Sequence, residues 1–296
     1  MTDLSIVIVN FNAKEFLKRC IESIFESSLK NFEIVVVDNA SKDGSIEELK
    51  KLKFNIKIIA NNKNTGFAAA NNQGIKETSG RYVLFLNPDT SVYPKTLKYM
   101  VDFMDKNKNV GAATCKVVLP NGQIDDSSHR GFPTPWNSLC YFSGLSKVFP
   151  KSKIFSGYTL GFLDLSSIHE IDALAGAFMI VRREAGDKLG WWDEDYFFYG
   201  EDLDFCYRLK ENGLKIYYVP RVSILHYKGL SSGIKSHSKH LSHADLETKK
   251  AATTARFDAM KIFYRKHYIN SYPKILTWLV FRAINFKFWL SMRSLS

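Results

Sequence analysis

Glycine-rich phosphate loops, closely paired cysteines and a long unbroken apolar run are all missing from this chain, and each absence narrows what it can be. The first apolar segment runs into VIVNFNAKEF with no glycine-rich, basic loop behind it, which sets aside a nucleotidyltransferase of the phosphate-loop kind. The four cysteines, Cys20, Cys115, Cys140 and Cys206, are scattered with no C-x-x-C spacing. That pattern implies reduced thiols in a cytosol. MTDLSIVIVNFN carries neither a basic leader nor a small-residue cleavage site, so it reads as a first strand and not as a signal peptide. The most apolar late stretch, ILTWLVFRAINFKFWLSM, is too short and too interrupted by Arg282 and Lys287 to cross a bilayer. No internal repeat or low-complexity segment is present.

What is there is an ordinary globular composition with an uneven charge. The 296 residues are 45% hydrophobic, enough for a packed core. From His226 to the end there are 13 Lys and Arg against 3 Asp and Glu, which leaves 28 against 27 for residues 1–225. The net charge of +11 therefore belongs almost entirely to the tail. A tail of that kind seeks an anionic surface, either nucleic acid or the cytoplasmic face of a membrane.

Residues 4–9, 32–37, 56–60 and 81–86 are short β-branched apolar runs that end in polar or turn residues, and they predict buried, mostly parallel strands. Helical spacing recurs at 16–25, 68–75 and 97–104. The alternation implies an α/β sandwich that binds ligands outside the strand carboxyl ends, where Asn10, Asn12, Asp38, Asn39, Asn87 and Asp89 stand. Residues 119–170, with Asn121-Gly122, Pro133 and Pro135, read as a mobile loop region. IDALAGAFMIV (171–181) predicts a strand, followed by a short helix ending near Gly190, a helix over about 200–212, and two strands, LKIYYV and RVSILHY.

The densest chemistry lies in FFYGEDLDF, where three carboxylates fall within four positions behind a run of aromatics. On a helix starting near Gly200, Asp202 shares a face with Cys206 and Leu209, so it is expected to point inward, with Glu201 and Asp204 on the side toward Arg208. Carboxylates in a first turn also complement the helix dipole. A buried one needs a partner, a metal or a task, and the task could be deprotonating a hydroxyl. Asn87-Pro88-Asp89 and Asp38-Asn39 have turn readings as well, and His226 closes the last strand of the α/β region.

Taken together, VIVNFN, VVVDNASKDGS, NTGFAAANNQGI, FLNPDT, GAFMIVRRE, GWWDEDYFFYGEDLDFCYRLKENG and ILHYKGLSS resemble the family-two inverting glycosyltransferases of GT-A fold, and most of all their bacterial rhamnosyltransferase branch, over about residues 4–233. The resemblance implies a mixed, mostly parallel Rossmann-like sheet flanked by helices. It implies a domain over 1–233, with a nucleotide-sugar half (1–118) and an acceptor and catalytic half (119–233), and a helical, basic and aromatic extension over 234–296. Asp38 would bind the nucleotide base, with Val9, Asn10, Asn12 and the turn of Asn64, Gly66 and Phe67 lining the nucleoside. Asp89, beside Asn87, would bind a divalent cation, Mg or Mn, shared with the donor diphosphate, and His226 would be a further ligand. Asp202 would be the general base, Glu201 its support, and Trp191, Trp192 and Asp193 the acceptor wall. Many relatives carry Asp-x-Asp where this chain has Asn87-Pro88-Asp89. The rhamnosyltransferase branch commonly has the amide form, which favours a dTDP-L-rhamnose donor and a weakly held metal.

The acceptor expected on that basis is a saccharide on a polyprenyl diphosphate, met at the inner face of a bacterial cell membrane by a cytoplasmic enzyme. Residues 237–268 read as a basic helix, with His237, His240 and His243 at a spacing open to a metal or to a solvated face. The aromatic ending would lie in the membrane interface, pack on the domain, or meet a second copy in a homodimer. A nucleic-acid partner is set aside because that ending suits a membrane better than a groove. A UDP-sugar donor and a non-catalytic nucleotide-sugar-binding subunit are the alternatives.

Overall fold

The computed structural model describes residues 2–227 and 246–295. In chain order the elements are β1 (Leu4–Asn10), α1 (Lys14–Phe25), β2 (Phe32–Asp38), α2 (Ser45–Lys51), β3 (Lys57–Ala60), α3 (Phe67–Lys76), β4 (Tyr82–Leu86), β5 (Thr90–Val92), α4 (Thr96–Lys106), β6 (Val110–Val118), α5 (Pro135–Ser143), α6 (Leu145–Val148), β7 (His169–Glu170), β8 (Phe178–Arg182), α7 (Arg183–Leu189), α8 (Glu201–Glu211), β9 (Lys215–His226), α9 (Leu246–His267) and α10 (Lys274–Arg293).

Among the described residues the strands form one mixed sheet in the order β3-β2-β1-β4-β8-β6-β9-β5, with β7 also on β9. The strands β1, β2, β3 and β4 are parallel, because the helices between them return the chain to the same edge. They are fully buried through β1 and β4, as strands covered on both faces must be. The register places Asn10 opposite Asp38, so the polar residues that end these strands converge on one rim of the sheet.

The second half mixes directions: β8 runs antiparallel to both β4 and β6. The strand expected over 171–181 is shorter. Only Phe178 onward enters the sheet, while Ala173 makes an isolated bridge with Arg130. The two strands expected after Gly213 are one strand, β9, whose register against β6 slips between Cys115 and Lys116. Pro220 lies in that slip, and a residue without an N–H can sit in a strand where the ladder is interrupted.

Residues 119–170 are built and not merely a loop. Thr134 caps α5 by accepting a hydrogen bond from the Asn137 N–H, with Pro135 at the first turn and Gly144 in the left-handed conformation ending it. Proline and glycine here mark helix ends, which a reading by composition takes for loop. In the tail, α9 packs against the second half: Phe263, Tyr264 and Tyr268 form a buried cluster with Tyr196, and Tyr207 packs beside it. No helix among the described residues is long and apolar enough to cross a membrane. His237, His240 and His243, and the end of the ILHYKGLSS motif, lie outside the described residues.

Candidate functional site

At the rim of β1 and β2 the buried Asp38 carboxylate accepts from Asn10 Nδ2 at 2.7 Å and from the Ser41 N–H at 2.9 Å. Asn10 Oδ1 is buried with no hydrogen-bond partner among the described residues, an acceptor left for something the protein does not supply. Asn12 takes a left-handed φ of 52°, which asparagine tolerates, and its Oδ1 accepts from the Lys42 N–H. Val9 is core and packs near Phe67. Asn64 is exposed, and its side chain folds back to the Gly66 N–H.

The turn at Gly66 joins this rim to the catalytic motif. Phe67 N–H donates to the Phe197 carbonyl at 2.8 Å. A Cβ on Gly66 would stand 2.6 Å from that oxygen, and the φ of 87° is one that side chains rarely adopt. Only glycine lets NTGF and FFYGED meet so closely. Asn72 on α3 adds a second tie, exchanging hydrogen bonds with the Trp192 backbone.

Asp89 follows β4 and sits beside His226 because β5 pairs with the end of β9, Thr90 opposite His226. His226 Nε2 is 3.2 Å from Asp89 Oδ1, and Nδ1 is 3.2 Å from Asp125 Oδ2. Burial would push the imidazole down, but Asp89 and Asp125 on either side raise it to about 9. Asp125, held in an Asx turn by the Ser127 N–H, was not among the expected residues. Its sequence signal, DDSS in a presumed loop, is that of any turn.

These groups can accept a hard divalent cation. Nε2 of His226 is buried and faces Asp89 at 3.2 Å, with Asp125 at the opposite ring nitrogen, so a cation here would displace the proton that the two carboxylates favour. Among the described residues no three His, Cys, Asp or Glu side chains cluster to cage an ion alone, so a cation here needs donor oxygens as well.

The helix α8 begins at Gly200, in a left-handed pair with Tyr199. A side chain at Gly200 would press on Ala259 of α9 and the Tyr196 ring. The burial pattern corrects the expected facing. Glu201 and Asp204 are the deepest carboxylates, and Asp202 lies at the margin with about 13% of its side chain exposed. The Arg130 guanidinium pairs with Asp202 at 2.7 Å and also donates to the Leu174 carbonyl. Reciprocal backbone bonds with Ala173 hold Arg130 in place. It was hidden in sequence by lying in SSHRGFPTP, where nothing marks it as a partner for a motif 72 residues away.

Burial first, and then the neighbouring Asp202, push the Glu201 carboxyl up to about 8. This favours the protonated form, which spares Asp202 a like charge at the adjacent position. Asp204 is pulled the other way: burial works against its charge, but His267 and Arg208 more than offset this and lower it. His267 Nε2 lies 2.8 Å from Asp204, and Arg208 bonds Asp204 and the carbonyls of Leu189 and Trp191.

The rings expected to wall an acceptor are not at a surface. Trp192 is 2% exposed and Trp191 9%, both packed against Phe85 and Phe205. In a sequence an aromatic pair looks the same whether it plugs a core or lines a groove. Asp193 is ion-paired with Lys266 of α9, which also binds Asp195 at 2.6 Å. The exposed ring of this segment is Phe197, 54% exposed, at the edge of a cavity of about 460 Å³ between residues 195–197 and α9.

The family model described as Glycosyl transferase family 2 matches residues 5–167. N-acetylglucosaminyl-diphospho-decaprenol L-rhamnosyltransferase of Mycobacterium tuberculosis is 27% identical over 254 residues, 82% of this chain and 81% of that protein. Rhamnosyltransferase WbbL of Escherichia coli K12 is 25% identical over 232 residues, covering 75% and 82%. Among solved structures, S. aureus TarS superposes with a TM-score of 0.55 at 18% identity, over 86% of this chain and 39% of that one. GalNAc-T7, with UDP, GalNAc and Mn2+, gives 0.57 at 19% identity, over 76% and 44%. The chain thus spans about two-fifths of those two solved chains, and the likeness fixes the fold as the GT-A type.

Proposed function

From the premise that this chain belongs to glycosyl transferase family 2, we propose that it transfers L-rhamnose from dTDP-L-rhamnose, with inversion, to a saccharide carried on a polyprenyl diphosphate in surface polysaccharide synthesis. The observation that carries the mechanism is the Arg130 and Asp202 pair beside the buried Glu201, in a motif tied to the donor rim through Gly66 and Phe197. The two rhamnosyltransferases among its relatives support the sugar, and the name of the mycobacterial one supports the lipid-linked acceptor.

In this reading Asp38 and the unpartnered Asn10 Oδ1 receive the base, and Asn12 and the 64–67 turn flank the nucleoside. Asp202 takes the proton of the acceptor hydroxyl as its oxygen bonds the anomeric carbon. The bond from that carbon to the diphosphate breaks on the opposite face, its electron pair leaving with the phosphate oxygen. Arg130 orients Asp202, and Glu201, by keeping its proton, leaves a single charge to be paired. Asp89 and His226 would hold Mg or Mn, which neutralises charge on the leaving diphosphate when bound. With Trp191 and Trp192 interior, the acceptor side falls to Phe197 and the segment of Asp193 and Asp195 that α9 clamps. In this reading the basic tail would hold the enzyme at the inner face of the cell membrane, where a lipid-linked acceptor would lie.

Thermal-shift titration with dTDP-L-rhamnose, dTDP, UDP and UDP-sugars, with and without Mg or Mn, on wild type and Asp89→Ala, tests the donor and metal. Metal-assisted stabilisation by dTDP-L-rhamnose that Asp89→Ala weakens is the expected result. Tighter binding of a UDP-sugar would replace the donor, and no nucleotide binding would leave a scaffolding subunit.

A further inference from the structure

The tail helix α10 has no buried residue. Ile275, Trp278, Leu279, Phe286, Trp289 and Leu290 are each 47–74% exposed and recur along one face. Its opposite face is taken by α9, where Phe281 meets Tyr264 and Phe288 meets Phe257. A second exposed apolar group lies far away in sequence, on α5, α6 and the turn after them: Trp136, Leu139, Phe142, Val148, Phe149 and Ile154, 40–68% exposed. The two meet in space, because Lys287 of α10 sits over the Phe142 ring of α5 at 4.4 Å. Together they bring two groups of exposed large apolar side chains onto adjoining surface, the kind of feature that marks an interaction site.

Charge selects the occupant. Residues 129–163 hold four Lys and Arg and no acid, and residues 259–296 hold seven and no acid. Arg282 lies over the Trp278 ring at 5.3 Å and Arg293 over Trp289 at 4.4 Å, so cations are interleaved with the apolar stripe itself. A second copy would bring the same acid-free face against this one and be repelled. An anionic bilayer offers hydrocarbon to the rings and phosphate to the cations at the same depth.

We propose that α10 and the α5–α6 segment together are a two-part seat on an anionic membrane. The tail alone is half of it, and the other half is carried by the domain between β6 and β7. This deepens, and rests on, the membrane placement proposed above. Since α5 follows closely on Arg130, which bridges to Ala173, the seat would set the orientation of the proposed cleft over the lipid surface as well as its proximity.

Flotation of the full chain with vesicles of phosphatidylcholine alone or with about one-third phosphatidylglycerol tests it. Two triple variants are compared with wild type, Leu139→Glu/Val148→Glu/Ile154→Glu and Trp278→Glu/Trp289→Glu/Leu290→Glu, all at exposed positions, with folding checked by dTDP binding and thermal melting. The expected result is binding to the anionic vesicles only, weakened by salt, and at least a tenfold loss in each variant. Wild-type behaviour of the α5–α6 variant would overturn the two-part seat while leaving a tail anchor in place. Failure of wild type to float, or a lipid-free dimer that the same substitutions dissociate, would overturn the membrane assignment. Rhamnosyl transfer to a detergent-dispersed acceptor, measured in parallel, reports on the proposed activity separately from the surface.

Discussion

The two halves of this molecule place their polar groups in different ways. In the first half Asp38 is set by Asn10, its neighbour in register on the next strand, and by the backbone of Ser41 three residues on. In the second half several partners come from remote segments. Asp202 is held by Arg130 from 72 residues away, Asp204 by His267 from 63, and His226 by Asp125 from 101. The sheet rim is positioned by strand geometry, whereas α8 is also tied by ion pairs to Arg130 of the 119–170 segment and to His267 of the tail.

If that contrast is right, substitutions in the second half combine losses of activity and stability in a way those in the first do not. Asp202→Asn is expected to lower the transfer rate by about a thousandfold, within the range for a lost general base, while nucleotide binding at the other rim is kept. Single-turnover transfer and calorimetry check the two parts. Arg130→Met strands Asp202 and should cost about 3–5 kcal/mol of stability, as broken buried pairs do. The double variant with Asp202→Asn should recover part of that in denaturant melts, and additive losses would contradict a direct pair.

The next effect depends on pH. The folded protein holds the Glu201 proton up to about 8, while an unfolded chain releases it near 4.5. Stability therefore falls as pH rises between those values. Glu201→Gln removes that slope and should be the more stable protein at pH 8, by about 1–3 kcal/mol, with little difference at acid pH. Parallel slopes in a pH series of melts would deny the assignment. The smallest effect is expected for His267→Ala, about 1–2 kcal/mol, since Arg208 still pairs with Asp204. Hydrogen exchange of α8 and α9 should rise together if the tail clamps the catalytic helix.

How much of this could be read from sequence follows the same division. The strands β1 to β4, the helices between them and the rim residues Asn10, Asp38 and Asp89 were legible because β-branched runs and strand-end polar residues are local signals. Arg130, Asp125 and Phe197 were not, because what brings them to the candidate site is a neighbour supplied by the fold. Trp191 and Trp192 misled for the complementary reason: an aromatic pair beside acids gives no sign of which face it covers, and here both rings fill the core. The depth of Glu201 was not legible either, since helical facing predicted that Asp202 would be the more buried.

The central claim is that this site moves L-rhamnose with Asp202 as base. The direct test is transfer from dTDP-L-rhamnose to a short polyprenyl-diphosphate N-acetylglucosamine in vesicles or detergent, with product anomeric configuration determined, for wild type and Asp202→Asn. Wild type is expected to give a rhamnosylated product of inverted configuration, and the variant to lose that activity almost completely. Retained configuration, full activity of Asp202→Asn, or transfer only from a UDP-sugar would contradict it.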